Sequence, residues 1–515
     1  MGGMTEPVSR DWLDSLVEQV NEQFPKGEVV VSSGHSPSGV YHVGTLREIM
    51  TANAITWALK RAGRKARHVD FVDDFDAFRK VPVDVPEEWK RHIGVPLRLV
   101  PDPWGDCHES YGDHRLASLN EGLAPLGVEP DEQISGYDNY QQGVFKDQII
   151  ASLDKLDEAR RILTEVGGRQ LDEHWAPVQV MDDEHNLRTR KFAGWDSAKR
   201  LVKWRDRDGE TGTVGLDDGK VKLDWRLDWP ARWAKFGVTV EPFGRDHATK
   251  GGSYDTGAVL VDRIYGGKAP YPVPYEFINA VGQTKKMSKS SGDVLTPKDA
   301  LDVMPPEILR YFVVGSRPSR TLSFDPGLGL YTLVDEFSKV ANGDATAAVA
   351  YAHAGSTAEM IAQVPFNHLV AVYQAARRQP DEVKAILERT GYEQAARDQW
   401  PVVERELEFV HNWLEKYAPD SVRFAVQDEL PEVELEDTQK QALSALADDI
   451  EAGKLDAQGI HDAIYAAAES AGIKASQVFR AIYRVLLNQD SGPKAGWFLA
   501  SLDRDWLVKR LRLSK

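Results

Sequence analysis

A single cysteine, Cys107, stands in the chain, so no disulfide can form within it and a reducing compartment is expected. No apolar run approaches the ~20 residues that cross a bilayer, and Met1–Arg10 has no apolar core of signal-peptide length. A soluble, cytoplasmic protein without a membrane partner is expected. Positive charge is also short: 63 Lys and Arg face 80 Asp and Glu, a net charge of −17. Such a balance governs solubility and long-range steering rather than fold. Composition alone leans away from nucleic acid, which would need a basic surface gathered on an acidic whole. Internal repeats and low-complexity segments are absent as well. With 42% hydrophobic and 9% aromatic residues, large-scale disorder is excluded. At 515 residues the chain exceeds one core, and its length suggests roughly three domains.

The order of elements begins with Trp12, Leu13, Leu16, Val17 and Val20, whose spacing predicts a helix over 9–23. Glu28–Ser32 reads as a short buried strand. A glycine-rich turn follows, Ser33-Gly34-His35-Ser36-Pro37-Ser38-Gly39-Val40-Tyr41-His42-Val43-Gly44-Thr45. Leu46, Ile49, Met50, Ala54, Trp57 and Ala58 then mark one face of a helix over 45–62, closed by Gly63. Val69–Val72 completes a βαβ unit. The ligand crevice of such a unit lies beyond the carboxyl ends of its strands, where the glycine turn and the cluster Asp73-Asp74-Phe75-Asp76 both fall.

From about 95 to 235 the pattern is irregular and reads as an insertion splitting the nucleotide-binding fold. It holds a loop, Pro101–His114, a helix over 148–166, and hairpins over 187–227 around Asp208-Gly209 and Asp217-Asp218-Gly219. Val238–Phe243 resumes the parallel sheet, a helix follows over 251–264, and Glu276–Ala280 is a strand leading into Gly282-Gln283-Thr284-Lys285-Lys286-Met287-Ser288-Lys289-Ser290. Two lysines on a hydroxyl-rich segment suit polyphosphate, although a Lys/Ser run by itself is more often a solvated loop. Beyond Pro297 the chain turns helical: a helix over 305–314, a basic extended linker at Arg317-Pro318-Ser319-Arg320, and Ala-, Glu- and Leu-rich periodicity from 345 to 515. The stripe Val478, Phe479, Ile482, Tyr483 and Leu486 reads as bundle core.

Lys286-Met287-Ser288-Lys289-Ser290 matches the lysine motif of class I aminoacyl-tRNA synthetases letter for letter, and His42-Val43-Gly44-Thr45 stands where that class carries His-Ile-Gly-His. Thr at the fourth position departs from the class pattern and suits its lysyl members. Trp225-Arg226-Leu227-Asp228-Trp229-Pro230, Glu241-Pro242-Phe243-Gly244-Arg245-Asp246-His247 and Gly251-Gly252-Ser253-Tyr254-Asp255 also resemble the lysyl family. The resemblance spans nearly the whole chain, most weakly over about 345 to 450. It implies activation of lysine with ATP and Mg²⁺, followed by transfer to the terminal adenosine of tRNA(Lys), first to its 2′-hydroxyl. It also implies a doubly wound Rossmann-type α/β catalytic domain with an insertion, then a mainly α-helical anticodon-binding region, in a chain expected to be monomeric.

The residues then take expected roles. His42, Lys286 and Lys289 are the catalytic candidates, Lys289 foremost. ATP is expected at Pro37, Gly39, His42, Gly44, Thr45, Asp246, Gly251, Gly252 and the lysine motif, with close backbone approach at the glycines and a helix N-terminus beside the phosphates. Lysine is expected against Gly34, Ser36, Asp73, Asp74, Asp76, Trp225, His247 and Tyr275, because a buried ammonium needs a carboxylate and welcomes aromatic faces. Asp74 is the first choice. Asp102, Cys107, His108 and His114 are ligand types that zinc accepts, and the family often carries a knuckle of this composition; a buried thiol beside surface histidines is the alternative. A second, cysteine-rich knuckle cannot be built here.

The expected boundaries are an N-terminal helix (1–26), the first half of the catalytic domain (27–100), the insertion with a zinc knuckle (101–235), the second half with the lysine loop (236–300), a stem-contact linker (301–344) and the helical anticodon-binding domain (345–515). Three rivals remain: the same fold charging glutamate or arginine, an adenylate-forming paralogue with a non-tRNA acceptor, and a non-catalytic binding protein. A free arginine in the pocket would mark glutamate, and a free carboxylate lysine.

Overall fold

The computed structural model describes residues 11–105, 107–168, 170–171, 175–280, 295–341, 346–354, 364–453 and 455–514. The lysine motif at 286–290, with residues 281–294 around it, lies outside them. The chain divides into two units. One comprises Met1–Leu301, Pro306–Phe324 and Ala345–Ser356, the other Asp302–Pro305, Asp325–Asp344 and Thr357–Lys515.

At the centre of the first unit is a five-stranded parallel sheet. Strand β1 (Val29–His35) lies in the middle, with β2 (Ala66–Val72) and β3 (Glu132–Ser135) on one side and the strands Val240–Gly244 and Tyr271–Tyr275 on the other. Chain order reverses direction across the sheet between β1 and Val240–Gly244, the topological switch point at which doubly wound sheets bind ligands. β1 and β2 pair from Val29↔Ala66 to His35↔Val72. Val29, Val31 and Val69 are fully buried, as expected of strands covered on both faces. Helix α1 (Trp12–Gln23) is capped by Asp11, and α2 (Leu46–Arg61) buries Leu46, Ile49, Met50 and Ala54.

Several expectations shift. β3 falls within the stretch read as an insertion yet pairs with β2 from Val69↔Glu132 to Val72↔Ser135. The helix over 148–166 is two helices, Lys146–Asp154 and Leu156–Glu165, separated at Lys155. The hairpins over 187–227 end at Gly215; after a short strand, Val221–Leu223, Asp224 caps a helix, Trp225–Phe236. Glu276–Ala280 shortens to Ile278–Ala280, which pairs with Leu322–Phe324 and does not join the central sheet. The edge position belongs instead to Tyr271–Tyr275, whose Pro272 and Pro274 lack N–H donors and are tolerated where only one side is paired.

The second unit is helical. Asp437–Ala452, Ala457–Ser470, Ala475–Leu487, Ala495–Ser501 and Arg504–Leu511 follow in order. Val478, Ile482, Tyr483 and Leu486 are buried and Phe479 is half-buried, the bundle-core stripe that the periodicity predicts.

Candidate functional site

Four pieces of chain meet at the switch point. β1 brings Ser32 to His35 to its carboxyl end, with Gly34 and Ser36 at the opening. α2 brings Glu48 one turn in. Asp73 follows the end of β2, and Val240–Gly244 brings Glu241 and Phe243. The Trp225–Phe236 helix closes the wall with Trp225, Trp229, Arg232 and Trp233, spaced i, i+4, i+7, i+8 on one helical face. These enclose a cavity of about 210 Å³ that His247 also lines.

Aromatic faces and carboxylates dominate this cavity. Trp225 stacks on Trp229 with centroids 5.5 Å apart, and His247 lies 5.3 Å from Trp225. Trp229 Nε1 donates to Glu241 at 2.9 Å, and Ser32 donates to the other Glu241 oxygen. Glu48 accepts from the Gly34 backbone at 2.7 Å and from the Tyr275 hydroxyl at 2.5 Å. Burial pushes the Glu241 carboxyl up to about 8 and that of Glu48 to about 7. Asp73 is also raised by burial, against the pull of Arg232. Arg232 itself is engaged by both Asp73 and Asp228. Burial would lower it, yet those two carboxylates hold it firmly charged. Three lining carboxylates thus face one arginine that is already paired twice, an arrangement suited to a cationic guest.

Below the opening, Asp70 on β2 accepts from Ser33 (2.7 Å) and Gln133 (3.1 Å) and lies 3.0 Å from His35 Nε2, whose Nδ1 is 2.6 Å from the Tyr41 hydroxyl. Burial alone would raise Asp70, but His35 beside it, with His68 and Ser33, holds it below the usual carboxylate range. This buried network ties the far end of the glycine turn to the sheet.

The turn itself is tightly built. Pro37 and Gly39 are buried, and Val43–Thr45 forms one 3₁₀ turn leading into α2. A Cβ on Gly44 would lie 2.7 Å from the His42 ring, so only glycine lets the imidazole fold back over the backbone there. Val43 N donates to Leu295 O at 2.9 Å. The last described residue chain-ward of the lysine segment, Ala280, belongs to the strand Ile278–Ala280. Across the cleft, Asp246 is exposed, with His247 3.8 Å away. Gly251 and Gly252 precede the helix Ser253–Arg263; a Cβ on Gly252 would meet two backbone carbonyls at 2.6 and 2.8 Å.

Of the residues singled out for the amino acid, Gly34, Ser36, Asp73, Trp225 and His247 line the cavity, and Tyr275 reaches it through Glu48. Asp74 does not. Its carboxylate accepts from Ser135 Oγ (2.6 Å) and Tyr137 N (2.7 Å), capping the short helix Gly136–Gln141. Asp76 lines a neighbouring cavity and accepts from Lys222 at 2.7 Å. Glu48, Glu241, Trp229, Arg232 and Trp233 are additions of the structure. Their signals were a helical spacing of aromatics and a lone acid within an apolar strand.

Away from the cavity, Asp102, Cys107, His108 and His114 bring one ligand atom each within 4.8 Å of one another. Cys107 Sγ is 3.1 Å from Asp102 Oδ2, 3.2 Å from His108 Nδ1 and 3.4 Å from His114 Nδ1. Tetrahedral zinc with bonds of about 2.0 Å to nitrogen and 2.3 Å to sulfur sets donors roughly 3.3–3.5 Å apart. The four residues fit such an ion.

The family model described as tRNA synthetases class I (K) matches residues 10–363, and one described as an anticodon binding domain matches residues 416–514. The lysine--tRNA ligase of Thermococcus kodakarensis is 36% identical, covering 98% of this chain and 99% of that protein. Lysine--tRNA ligase 1 of Methanosarcina acetivorans is 38% identical, covering 97% and 98%. The chain belongs to the class I lysine--tRNA ligase family. A third member, from Archaeoglobus fulgidus, is 38% identical over 94% of this chain and 96% of its own. The parallel sheet, the insertion after β3 and the helical second unit are therefore the class I synthetase architecture, with its anticodon-binding module. Among the described residues no helix is long and apolar enough to cross a membrane.

Proposed function

We propose that this chain joins lysine to tRNA in two steps. The lysine carboxylate attacks the α-phosphorus of ATP and displaces pyrophosphate, giving lysyl-adenylate. A ribose hydroxyl of the terminal adenosine then attacks the activated carbonyl and displaces AMP. The observation that carries the amino-acid choice is the charge of the cavity. Glu48, Asp73 and Glu241 line it, and its one arginine is held by Asp73 and Asp228. Glutamate would need a free guanidinium, which this lining does not offer among the described residues. Lysine finds carboxylates and the stacked faces of Trp225 and Trp229. We assign the ammonium to Glu241 and Glu48, which line the cavity, rather than to Asp74, which does not.

Gly34, Ser36, His247 and Tyr275 shape the rest of the amino-acid site. Pro37, Gly39, His42, Gly44 and Thr45 receive the ATP phosphates at the N-terminal end of α2. Asp246, Gly251 and Gly252 lie on the adenosine side. Lys286 and Lys289, with Met287, Ser288 and Ser290, retain the role that their motif implies, charge relief on the departing pyrophosphate. Mg²⁺ accompanies ATP. Asp102, Cys107, His108 and His114 hold one structural zinc, and residues from about 345 onward grip the anticodon. In this reading the chain acts as a monomer. Acid-precipitable lysyl-tRNA formed from labelled lysine and ATP, and lost when the tRNA 3′ end is oxidised with periodate, is the expected result. Pyrophosphate exchange without any product on tRNA would favour a non-tRNA acceptor.

A further inference from the structure

His35 stands between the amino-acid cavity and the glycine turn, and the sequence motifs give it no task. Its side chain, 8% exposed, lines the cavity. Its backbone carbonyl accepts from Asp73 N at 2.8 Å, so its main chain holds one of the acidic residues of that lining. Its ring reaches the other way. Nδ1 lies 2.6 Å from the hydroxyl of Tyr41, the residue immediately before His42 in the turn. The direction of this chain of bonds follows from its buried end. Asp70 is fully buried and receives Ser33 Oγ, Gln133 Nε2 and His35 Nε2. An ionised carboxylate only accepts, so the proton of the neutral imidazole sits on Nε2 and Nδ1 accepts from Tyr41. Burial, with Asp70 close by, holds the Tyr41 hydroxyl well above its usual range, and it keeps the proton that it donates.

We propose that His35 is a positioning residue for adenylate formation, fixing through Tyr41 where the His42 ring sits relative to the amino-acid cavity. This rests on the reading that the chain activates lysine with ATP. Attack of a carboxylate oxygen on phosphorus requires the reacting atoms about 3–3.5 Å apart, and a misplacement of about 1 Å costs about 10²-fold in rate. The amino acid is held by walls built on strands and helices. His42 instead stands seven residues beyond His35, in a turn that contains Gly39 and Gly44. Glycines leave such a turn many conformations, and the Tyr41 hydroxyl ties it back to the sheet. From the other side the His42 ring is confined at Gly44, where a Cβ would lie 2.7 Å from it. The bonds from Tyr41 to His35 to Asp70 thus pass the rigidity of a fully buried strand residue to the ring that meets phosphate.

The test uses the full-length protein and the variants Tyr41→Phe, His35→Gln and His35→Leu. Phe keeps the ring and removes the donor. Gln offers one donor and one acceptor, as the neutral imidazole does, whereas Leu offers neither. Single-turnover formation of adenylate and AMP from α-labelled ATP and lysine is followed with total tRNA present. Lysine and ATP affinities are measured separately by calorimetry, and each rate is referred to the folded fraction found by urea denaturation. Expected are rates lowered about tenfold in Tyr41→Phe and about 10²-fold in His35→Leu, but only about threefold in His35→Gln. The Kd of each substrate should stay within about threefold of wild type throughout. Combining Tyr41→Phe with His35→Leu should slow the step no further than His35→Leu alone, because the two act through one bond. Tyr41→Phe at the wild-type rate, with wild type forming adenylate, would overturn this role and leave the proposed function standing, even if His35→Leu does not fold. A lowered urea midpoint with an unchanged rate per folded molecule would likewise overturn it, leaving His35 a purely structural part. Wild-type protein that forms no adenylate from lysine and ATP would overturn both.

Discussion

Replacing Glu241 by Gln keeps the shape of the cavity floor and removes one carboxylate. The side chain is 5% exposed and held by Ser32 and Trp229, so the amide can occupy the same place. If Glu241 pairs with the lysine ammonium, truncating that buried partnership should cost about 3–5 kcal/mol, roughly two to nearly four orders of magnitude in lysine affinity. A pH signature accompanies it. Burial holds Glu241 at about 8 and Glu48 at about 7, each above the ordinary 4.5. A carboxyl raised in the fold is preferentially protonated there. Its contribution to stability is full below its ordinary value and is lost as pH rises towards the raised one, so the free protein should lose stability between about pH 5 and 8. Lysine binds the ionised form and should expel protons. Between pH 6 and 7, where the amines of lysine stay charged, the ionised fraction of a group titrating at about 8 grows about tenfold. Lysine Kd should therefore fall at least tenfold in wild type over that unit, and about fivefold in Glu241→Gln, where Glu48 alone titrates. Calorimetry in two buffers of different ionisation enthalpy reads both affinity and proton release. A pH-independent Kd, no buffer-dependent heat, and variant affinity within twofold of wild type would refute this assignment.

Three further outcomes are expected. Gly44→Ala should leave the denaturation midpoint nearly unchanged but slow single-turnover adenylate formation about 10²-fold, because its Cβ displaces the His42 ring; a wild-type rate would show that the ring position is immaterial. Arg47→Met should cost about 3 kcal/mol or more in urea denaturation, since this buried guanidinium donates to the carbonyls of Val313, Arg317, Pro318 and Arg320; a loss below 1 kcal/mol would mean that water replaces it. The purified protein should carry about one zinc per chain, lost in Cys107→Ser and on chelation with a lower melting temperature; metal-free protein indifferent to chelator would favour a simple thiol.

What could be read from sequence followed the range of the interactions involved. β1, the glycine turn and α2 show themselves through local pattern: a β-branched run, glycines where backbone packs closely, and an apolar stripe at helical spacing. The four candidate metal ligands were equally visible because they lie within thirteen residues of one another in the chain. The place of Asp74 outside the cavity was not legible, because its partners, Ser135 and Tyr137, come from β3 and the helix after it, whose position beside β2 no local pattern announces. Glu241 was passed over because one acid between Val240 and Pro242 looks like an interruption of a strand; only the neighbouring Trp229 and Ser32 explain how it is tolerated. Tyr271–Tyr275 was hidden by its two prolines, which argue against a strand unless it is known to lie at an edge.

ATP–pyrophosphate exchange across the standard amino acids, with and without total tRNA, tests the central claim most directly. Lysine should support exchange, with glutamate and arginine at least two orders of magnitude lower in kcat/KM. Exchange driven by glutamate in preference to lysine would contradict the reading of this cavity as a cation site, and exchange driven by arginine would contradict its assignment to lysine.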